Sequence, residues 1–279
     1  MSHRRFAPAK VNLALHVTGR RADGYHLLDS LVVFAGAGDW VSVAADGALS
    51  LAVTGPRSEG VPTDDRNLIW KAAQAFDPPL GARIILDKHL PHAGGIGGGS
   101  ADAAAALHGL AALWDRPLPG LAAQLAIGAD IPVCVHGAPC RMRGIGDVID
   151  PVPPLPPLWI VLANAGVAVP TGAVFSRLAT AENPPLPEPD WSDLPGFVRW
   201  LCIARNDLWP PARDLVPEIG TVLDHLEARP GCLLARMSGS GGTCFGLFGA
   251  EDAATDAARA LGRDQPDWWV ASAPVLAAP

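Results

Sequence analysis

Leu90-Pro91-His92-Ala93-Gly94-Gly95-Ile96-Gly97-Gly98-Gly99-Ser100-Ala101-Asp102-Ala103-Ala104-Ala105-Ala106-Leu107 is the stretch from which the rest of this chain is best read. Gly94, Gly95, Gly97, Gly98 and Gly99 fall within six residues and stop at a serine. An alanine-rich, helix-favouring segment follows. Glycine carries no Cβ, so its backbone N–H can turn inward and approach a ligand closely. A helix beginning just after such a loop adds unpaired N–H groups and partial positive charge. The combination makes a seat for an anion, most often a phosphate.

Two common nucleotide loops do not fit these residues. The dinucleotide fingerprint G-x-G-x-x-G lacks its third glycine, because Gly95-x-Gly97-x-x ends at Ser100. The pattern G-x-x-x-x-G-K-[ST] fails as well, since no lysine follows Gly99. A flexible surface loop is the plain alternative. It sits poorly between the apolar Ile84-Ile85-Leu86 and an apolar helix.

The composition narrows the class. The 279 residues are 49% hydrophobic and 18% charged, enough for one large domain or two modest ones. No apolar run is long enough to cross a bilayer. The opening Met1-Ser-His-Arg-Arg-Phe-Ala-Pro8 lacks the apolar core of a signal peptide, so a cytoplasmic location is expected. A formal net charge of −7 argues against a general nucleic-acid binder. Cys134, Cys140, Cys202, Cys232 and Cys244 are odd in number with no C-x-x-C, which suits buried thiols in a reducing compartment. His89 and His92 have H-x-x-H spacing without further ligands, and read as loop-flanking residues.

Hydrophobic periodicity sets the order of elements. Val11, Leu13, Leu15 and Val17 alternate with Lys10, Asn12, Ala14 and His16, a strand pattern that puts Lys10 and Asn12 on one face. Residues 32–34, 40–44 and 84–86 read as further strands and 67–75 as a helix. Ser100 is expected to N-cap a helix running to about Trp114, with Asp102 in its first turn. Another helix is expected from near Pro119 to Gly128. Pro151-Val-Pro-Pro-Leu-Pro-Pro157 reads as a rigid linker and divides the chain into lobes 1–152 and 158–279. A long extended loop is the alternative. Residues 183–195 read as an exposed proline-rich loop. Strands over 159–163, 233–237, 243–248 and 268–272 and a helix over 251–261 complete a second lobe. The class is α+β.

Three more segments accompany the glycine loop: Pro8-Ala-Lys-Val-Asn-Leu13 with Arg20-Arg-Ala-Asp-Gly-Tyr-His26, Gly128-Ala-Asp-Ile-Pro132, and Met237-Ser-Gly-Ser-Gly-Gly-Thr-Cys244. In this order and combination the chain resembles the GHMP small-molecule kinases over essentially its whole length. Within them it looks like the branch acting on 4-diphosphocytidyl-2-C-methyl-D-erythritol. Mevalonate-type relatives carry a G-E-H ending in the first segment. Here Leu13-Ala-Leu-His16 stands instead, and Asp23-Gly-Tyr-His26 follows. One departure is Ala101, where many relatives have a second serine, and tuned nucleotide affinity is expected from it.

The resemblance implies a fold, a reaction and a set of roles. The fold is a two-lobed α+β GHMP kinase, with an N-terminal ribosomal-protein-S5-like lobe and a C-terminal ferredoxin-like lobe. The reaction is ATP-dependent phosphorylation of the 2-hydroxyl of the cytidyl substrate, with Mg2+ neutralising the β- and γ-phosphates. Asp130 is the expected general base and Lys10 its electrostatic partner. Each has a bland alternative, a turn-capping Asp and a solvated strand Lys. Pro91, His92, Ala93, Gly94, Gly95, Ile96, Gly97, Gly98, Gly99, Ser100 and Ala101 are expected to bind ATP, with Ser100 touching the phosphates or the magnesium shell. Asn12, Tyr25, His26, Thr171, Phe175, Gly239, Ser240 and Gly241 are expected to bind the acceptor. Among these, Tyr25 and Phe175 would stack on the cytosine and His26 would hydrogen-bond its edge. Either aromatic could be plain core, and the 238–242 loop a tight hairpin turn. The expected partners are the small-molecule substrate and ATP, with neither nucleic acid nor membrane, in a monomer or homodimer. Another GHMP kinase, a nucleotide-binding regulator without activity, and a dehydrogenase are the rival readings. The retained Lys10 and Asp130 weigh against the second, and the incomplete dinucleotide fingerprint against the third.

Overall fold

The first strand, β1 (Ser2–Arg20), and the second, β2 (His26–Ala45), are far longer than the short runs their alternation predicts. The two strands expected over 32–34 and 40–44 are one: Gly36 and Gly38 interrupt the apolar pattern without breaking the extended backbone. After them come β3 (Ser50–Thr54), α1 (Leu68–Gln74), β4 (Ala82–Asp87), α2 (Gly98–Trp114), α3 (Leu121–Ile127), α4 (Ile131–His136), β5 (Cys140–Gly144), β6 (Val148–Pro151), β7 (Trp159–Asn164), α5 (Thr171–Ser176), α6 (Leu194–Ile203), α7 (Trp209–Leu215), α8 (Glu218–Glu227), β8 (Cys232–Met237), β9 (Thr243–Phe248), α9 (Glu251–Asp264) and β10 (Trp269–Pro274). The structure is a computed structural model and describes residues 2–78, 80–92 and 94–278. Among them no helix is long and apolar enough to cross a membrane.

The chain packs as two units. Met1–Lys10, Gly38–His92 and Gly97–Gly137 form the first, and Val11–Ala37, Ala93–Ile96 and Ala138–Pro279 the second. The proline linker at 151–157 lies inside the second unit.

In the first unit β4 runs antiparallel to β2, from Trp40↔Asp87 to Ala45↔Ala82, and parallel to β3 on its other side. Helix α2 is apolar nearly all round, so it is buried on most of its surface. Its alanines 101 and 103–106, with Leu107 and Leu110, are all buried. Their small side chains let α1 and α4 approach closely. Gly109 belongs to the same logic, because a Cβ there would lie 3.0 Å from Val43 Cγ2.

Two local expectations are corrected here. Helix α2 begins at Gly98 with Gly97 as its cap in the left-handed conformation (φ 59°, ψ 21°), so Ser100 lies inside the first turn and caps nothing. Glycine takes this conformation at almost no steric cost, and the helix can therefore start earlier than its first serine. Asp130 does not stand at a helix-to-strand corner either. The chain turns from α3 through Gly128 directly into the short helix α4.

The second unit contains a four-stranded antiparallel sheet of order β10-β7-β9-β8. Its core gathers Val161, Ala163, Leu226, Phe248, Ala257 and Leu261 from the strands and from α8 and α9. The N-terminal part of β2 pairs with β5, which pairs with β6. The 183–195 stretch is not a free loop. Leu186 is buried, its N–H donates to Asp29, and its carbonyl accepts from Arg141. At its end the Asp193 side chain accepts the Gly196 N–H at 2.6 Å and starts α6, with proline in the first turn.

Candidate active site

In the first unit Lys10 on β1 is buried to 4% exposure, which for an ammonium is costly without a partner. The partner is Asp130. Lys10 Nζ donates to its Oδ2 at 2.9 Å, and the Asp130 side chain keeps 36% of its surface open. Asp130 sits at the N-cap of α4, yet its side chain makes no capping hydrogen bond. Turn capping is thereby excluded as its role. The carboxylate is held by Lys10 on one side and left accessible on the other, as a base that must meet a substrate hydroxyl requires.

The glycine loop meets this pair through Gly97. A Cβ on Gly97 would lie 3.2 Å from both Lys10 Cβ and Cε. The lysine stem therefore packs on the one loop residue whose left-handed φ launches α2. The N–H groups at 98–100 have no acceptor within the helix, and the dipole adds partial positive charge there. Gly99 is exposed and Gly97, Gly98 and Ser100 half-buried, whereas Ile96 and Ala101 are core residues. Pro91 is half-buried, and exposed His92 donates from Nε2 to the Arg57 carbonyl at 2.9 Å. Ala93 lies outside the described residues.

In the second unit the 94–95 backbone is locked to the loop joining β8 and β9. Thr243 N–H donates to Gly94 O at 2.8 Å and Ser238 Oγ–H to Gly95 O at 3.0 Å. Gly95 has φ 70°, and a Cβ there would collide with the Gly241 carbonyl. Ser238 also accepts the Asn12 N–H at 3.1 Å, so one buried hydroxyl ties β1, the glycine loop and the hairpin together. Sequence reading assigned this loop to ligand contact and missed the brace. Asn206 was missed as well: its Nδ2 donates to both Met237 O and Gly239 O at 2.8 Å. The run of glycines at 239, 241 and 242 was the available signal, since such a turn needs outside support to hold one shape.

The expected acceptor-binding residues also lie in the second unit. Asn12 is buried and donates from Nδ2 to Ser30 Oγ at 2.7 Å, while its buried Oδ1 has no partner. Ser240 Oγ and Thr171 Oγ1 lie 2.8 Å apart. Gly239 and Gly241 are buried, with positive φ. His26 and Phe175 stack on each other, ring centres 4.8 Å apart and planes 27° from parallel. Burial, with Arg20 nearby, holds the His26 imidazole below its ordinary pKa, so it stands neutral with one ring donor and one acceptor. Tyr25 is 58% exposed and closes the 21–25 turn, its carbonyl accepting the Arg21 N–H at 2.8 Å.

Among the described residues no group of three or more His, Cys, Asp or Glu side chains could hold a metal ion.

Two family models match the chain: "GHMP kinases N terminal domain" over residues 67–149 and "GHMP kinases C terminal" over residues 192–267. The 4-diphosphocytidyl-2-C-methyl-D-erythritol kinase of Jannaschia sp. (strain CCS1) is 64% identical over 275 residues, covering 99% of this chain and 98% of that protein. The protein of the same name from Cereibacter sphaeroides (strain ATCC 17029 / ATH 2.4.9) is 57% identical over 271 residues, covering 96% and 97%. A crystal structure of 4-(cytidine 5'-diphospho)-2C-methyl-D-erythritol kinase is 34% identical with a TM-score of 0.78, covering 98% of this chain and 100% of that one. Mevalonate kinase of L. major, 16% identical over 99% and 97% of the two chains with a TM-score of 0.64, shares the fold alone. The fold is the two-lobed α+β fold of these enzymes. The chain belongs to the GHMP kinases, ATP-dependent small-molecule kinases, and within them to the family of the 4-diphosphocytidyl-2-C-methyl-D-erythritol kinases.

Proposed function

We propose that the chain transfers the γ-phosphoryl group of ATP to the 2-hydroxyl of 4-diphosphocytidyl-2-C-methyl-D-erythritol, in non-mevalonate isoprenoid precursor synthesis. The Lys10–Asp130 pair packed on Gly97 carries this reading. Phosphoryl transfer asks a protein for positioning and charge stabilisation more than for covalent chemistry. Asp130 takes the proton of the acceptor hydroxyl as its oxygen bonds to the γ-phosphorus. The bond from that phosphorus to the β–γ bridging oxygen breaks, and ADP leaves with the electron pair. Lys10 orients the carboxylate and steadies the charge developing on the transferred group.

The loop from Pro91 to Ala101 cradles the triphosphate, chiefly through the amides at 97–100. Mg2+ would supply charge neutralisation of the phosphates when bound, and the Ser100 hydroxyl in the first turn of α2 would be the side chain offered to its shell. The unpartnered Asn12 Oδ1 is left to accept a donor from the acceptor. Tyr25 and Phe175 offer faces to the cytosine, His26 reads its edge, and Thr171 with Gly239, Ser240 and Gly241 borders the acceptor. The family-model ranges lie on either side of the proline linker, which supports lobes at 1–152 and 158–279. The net charge of −7 supports small-molecule partners over nucleic acid, and a cytoplasmic monomer or homodimer fits the composition.

The deciding experiment supplies the purified protein with the cytidyl substrate and Mg-ATP and follows the 2-phosphate by phosphorus NMR. ADP release with mevalonate or homoserine but not with the cytidyl substrate would overturn the assignment.

A further inference from the structure

Behind the glycine loop, within the first unit, lies a buried charge cluster that the mechanism above does not use. Lys88 follows β4, Asp39 lies in β2 and Asp102 in α2, and each is under 5% exposed. Lys88 Nζ donates to Asp39 Oδ2 and to Asp102 Oδ2, both at 2.6 Å. Asp39 Oδ1 accepts two backbone N–H groups, from His89 at 2.5 Å and Leu90 at 2.8 Å. Asp102 Oδ1 is buried with no partner. Burial and the nearby Asp39 push the Asp102 carboxyl above its usual range, and the Lys88 ammonium opposes them. The two carboxylates hold the Lys88 ammonium above its usual range even though burial opposes it.

Asp102 is an expensive residue at this position. Its neighbours on α2 are alanines, and an alanine would bury here without desolvating a carboxyl group. Buried ion pairs contribute little net stability, and their best-attested use is to fix one arrangement among several. What this cluster fixes is specific. Residues 88–90 lead into the glycine loop, and residue 102 follows it on the first turns of α2. One ammonium therefore grips both ends of the loop. It also sits directly behind the first helical residue, 3.3 Å from where a Gly98 Cβ would be.

We propose that Lys88 is the positioning residue of the phosphate loop: by bridging Asp39 and Asp102 it sets the separation of the loop's two ends, and so presets the amides at 97–100 for the triphosphate. The inference rests on the kinase reading above. Lys88 touches no substrate in this scheme and acts through the loop it clamps. Misplacement of positioning groups by about 1 Å costs up to roughly a hundredfold in turnover or affinity, so the effect is large enough to read.

The test compares wild type, D102N and K88M by calorimetric titration with Mg-ATP and by full kinetics. D102N fills the same space and breaks no bond at Oδ1, so it is expected to fold. Its ATP Kd and KM should rise about fivefold or more, and those of K88M about tenfold or more, with the acceptor KM unchanged within about twofold. A purely structural cluster would lower Tm without separating the two KM values. Should D102N fail to fold, K88M/D102A removes the bridge between the loop's two ends and carries the same comparison. ATP affinity within about twofold of wild type in a folded variant overturns the proposal. Absence of ATP binding by wild type would instead overturn the kinase reading itself.

Discussion

Lys10 and Asp130 are 120 residues apart in the chain and 2.9 Å apart in space, and the lysine is the buried member of the pair. The exposed face of Asp130 is therefore the chemically available one. Removing either charge should separate binding from turnover.

Asp130→Asn keeps the shape but accepts no proton from the acceptor hydroxyl. Its kcat should fall roughly 10²- to 10⁴-fold, the span associated with a positioned general base. Calorimetry should find ATP binding close to wild type. A near-wild-type kcat would falsify the base assignment.

Gly97→Ala tests the loop where it meets the lysine. The left-handed φ of 59° costs an L-residue about 1–2 kcal/mol, and the new Cβ presses on Lys10. Thermal denaturation should register the loss. Steady-state kinetics should show a higher KM for ATP together with a lower kcat, because the same methyl disturbs loop and lysine.

Tyr25→Ala and Ser238→Ala differ in kind. Tyr25 is 58% exposed, so its truncation should leave stability within about 0.5 kcal/mol while raising KM for the cytidyl substrate well above any change for ATP. Equal changes in both constants would count against cytosine stacking. Ser238→Ala strips the buried Asn12 N–H of its acceptor and the Gly95 carbonyl of its donor. A loss of about 1–3 kcal/mol is expected in urea denaturation, since buried polar groups are left unsatisfied.

His16 supplies a pH test. It is 1% exposed, with Nδ1–H donating to Pro184 O at 2.9 Å and Nε2 accepting the Arg205 N–H at 3.0 Å. Burial is the main cause holding its imidazole below the ordinary value of 6.5, with Arg205 adding to it against the Pro184 hydrogen bond and two nearby carboxylates. The unfolded chain thus takes up the proton first on acidification. This contribution to stability is complete above the unfolded value of about 6.5 and is lost as pH falls below it. Tm measured from about pH 8 down to 5 should fall for wild type and fall less steeply for His16→Gln, measured against its own value at high pH. Identical slopes would remove His16 from the account.

Strand alternation in β1, the alanine helix after the glycines and the β8-β9-α9-β10 order were legible because each depends on neighbours a few residues apart. The short helices α5 to α8 were not, since prolines and brief apolar runs between 170 and 227 read equally well as loop. Leu186, between α5 and α6, shows why: its N–H donates to Asp29 and its carbonyl accepts from Arg141, both more than forty residues away, and these two bonds fix that stretch within the second unit.

By itself the sequence determined the glycine-rich loop and its following helix, the α+β class, and the residue types by which the chain resembles the GHMP kinases. Only the tertiary structure decided what those residues touch. It put the expected Lys10–Asp130 partners 2.9 Å apart with no capping bond from Asp130, moved Ser100 inside a helix begun by Gly97, and made Ser238 a brace. It also placed Lys88 between two carboxylates at positions 39 and 102. The physical reason is range. Helix and strand periodicity is written into contacts of a few residues, whereas a buried charge takes its partner from whatever element the fold brings within 3 Å.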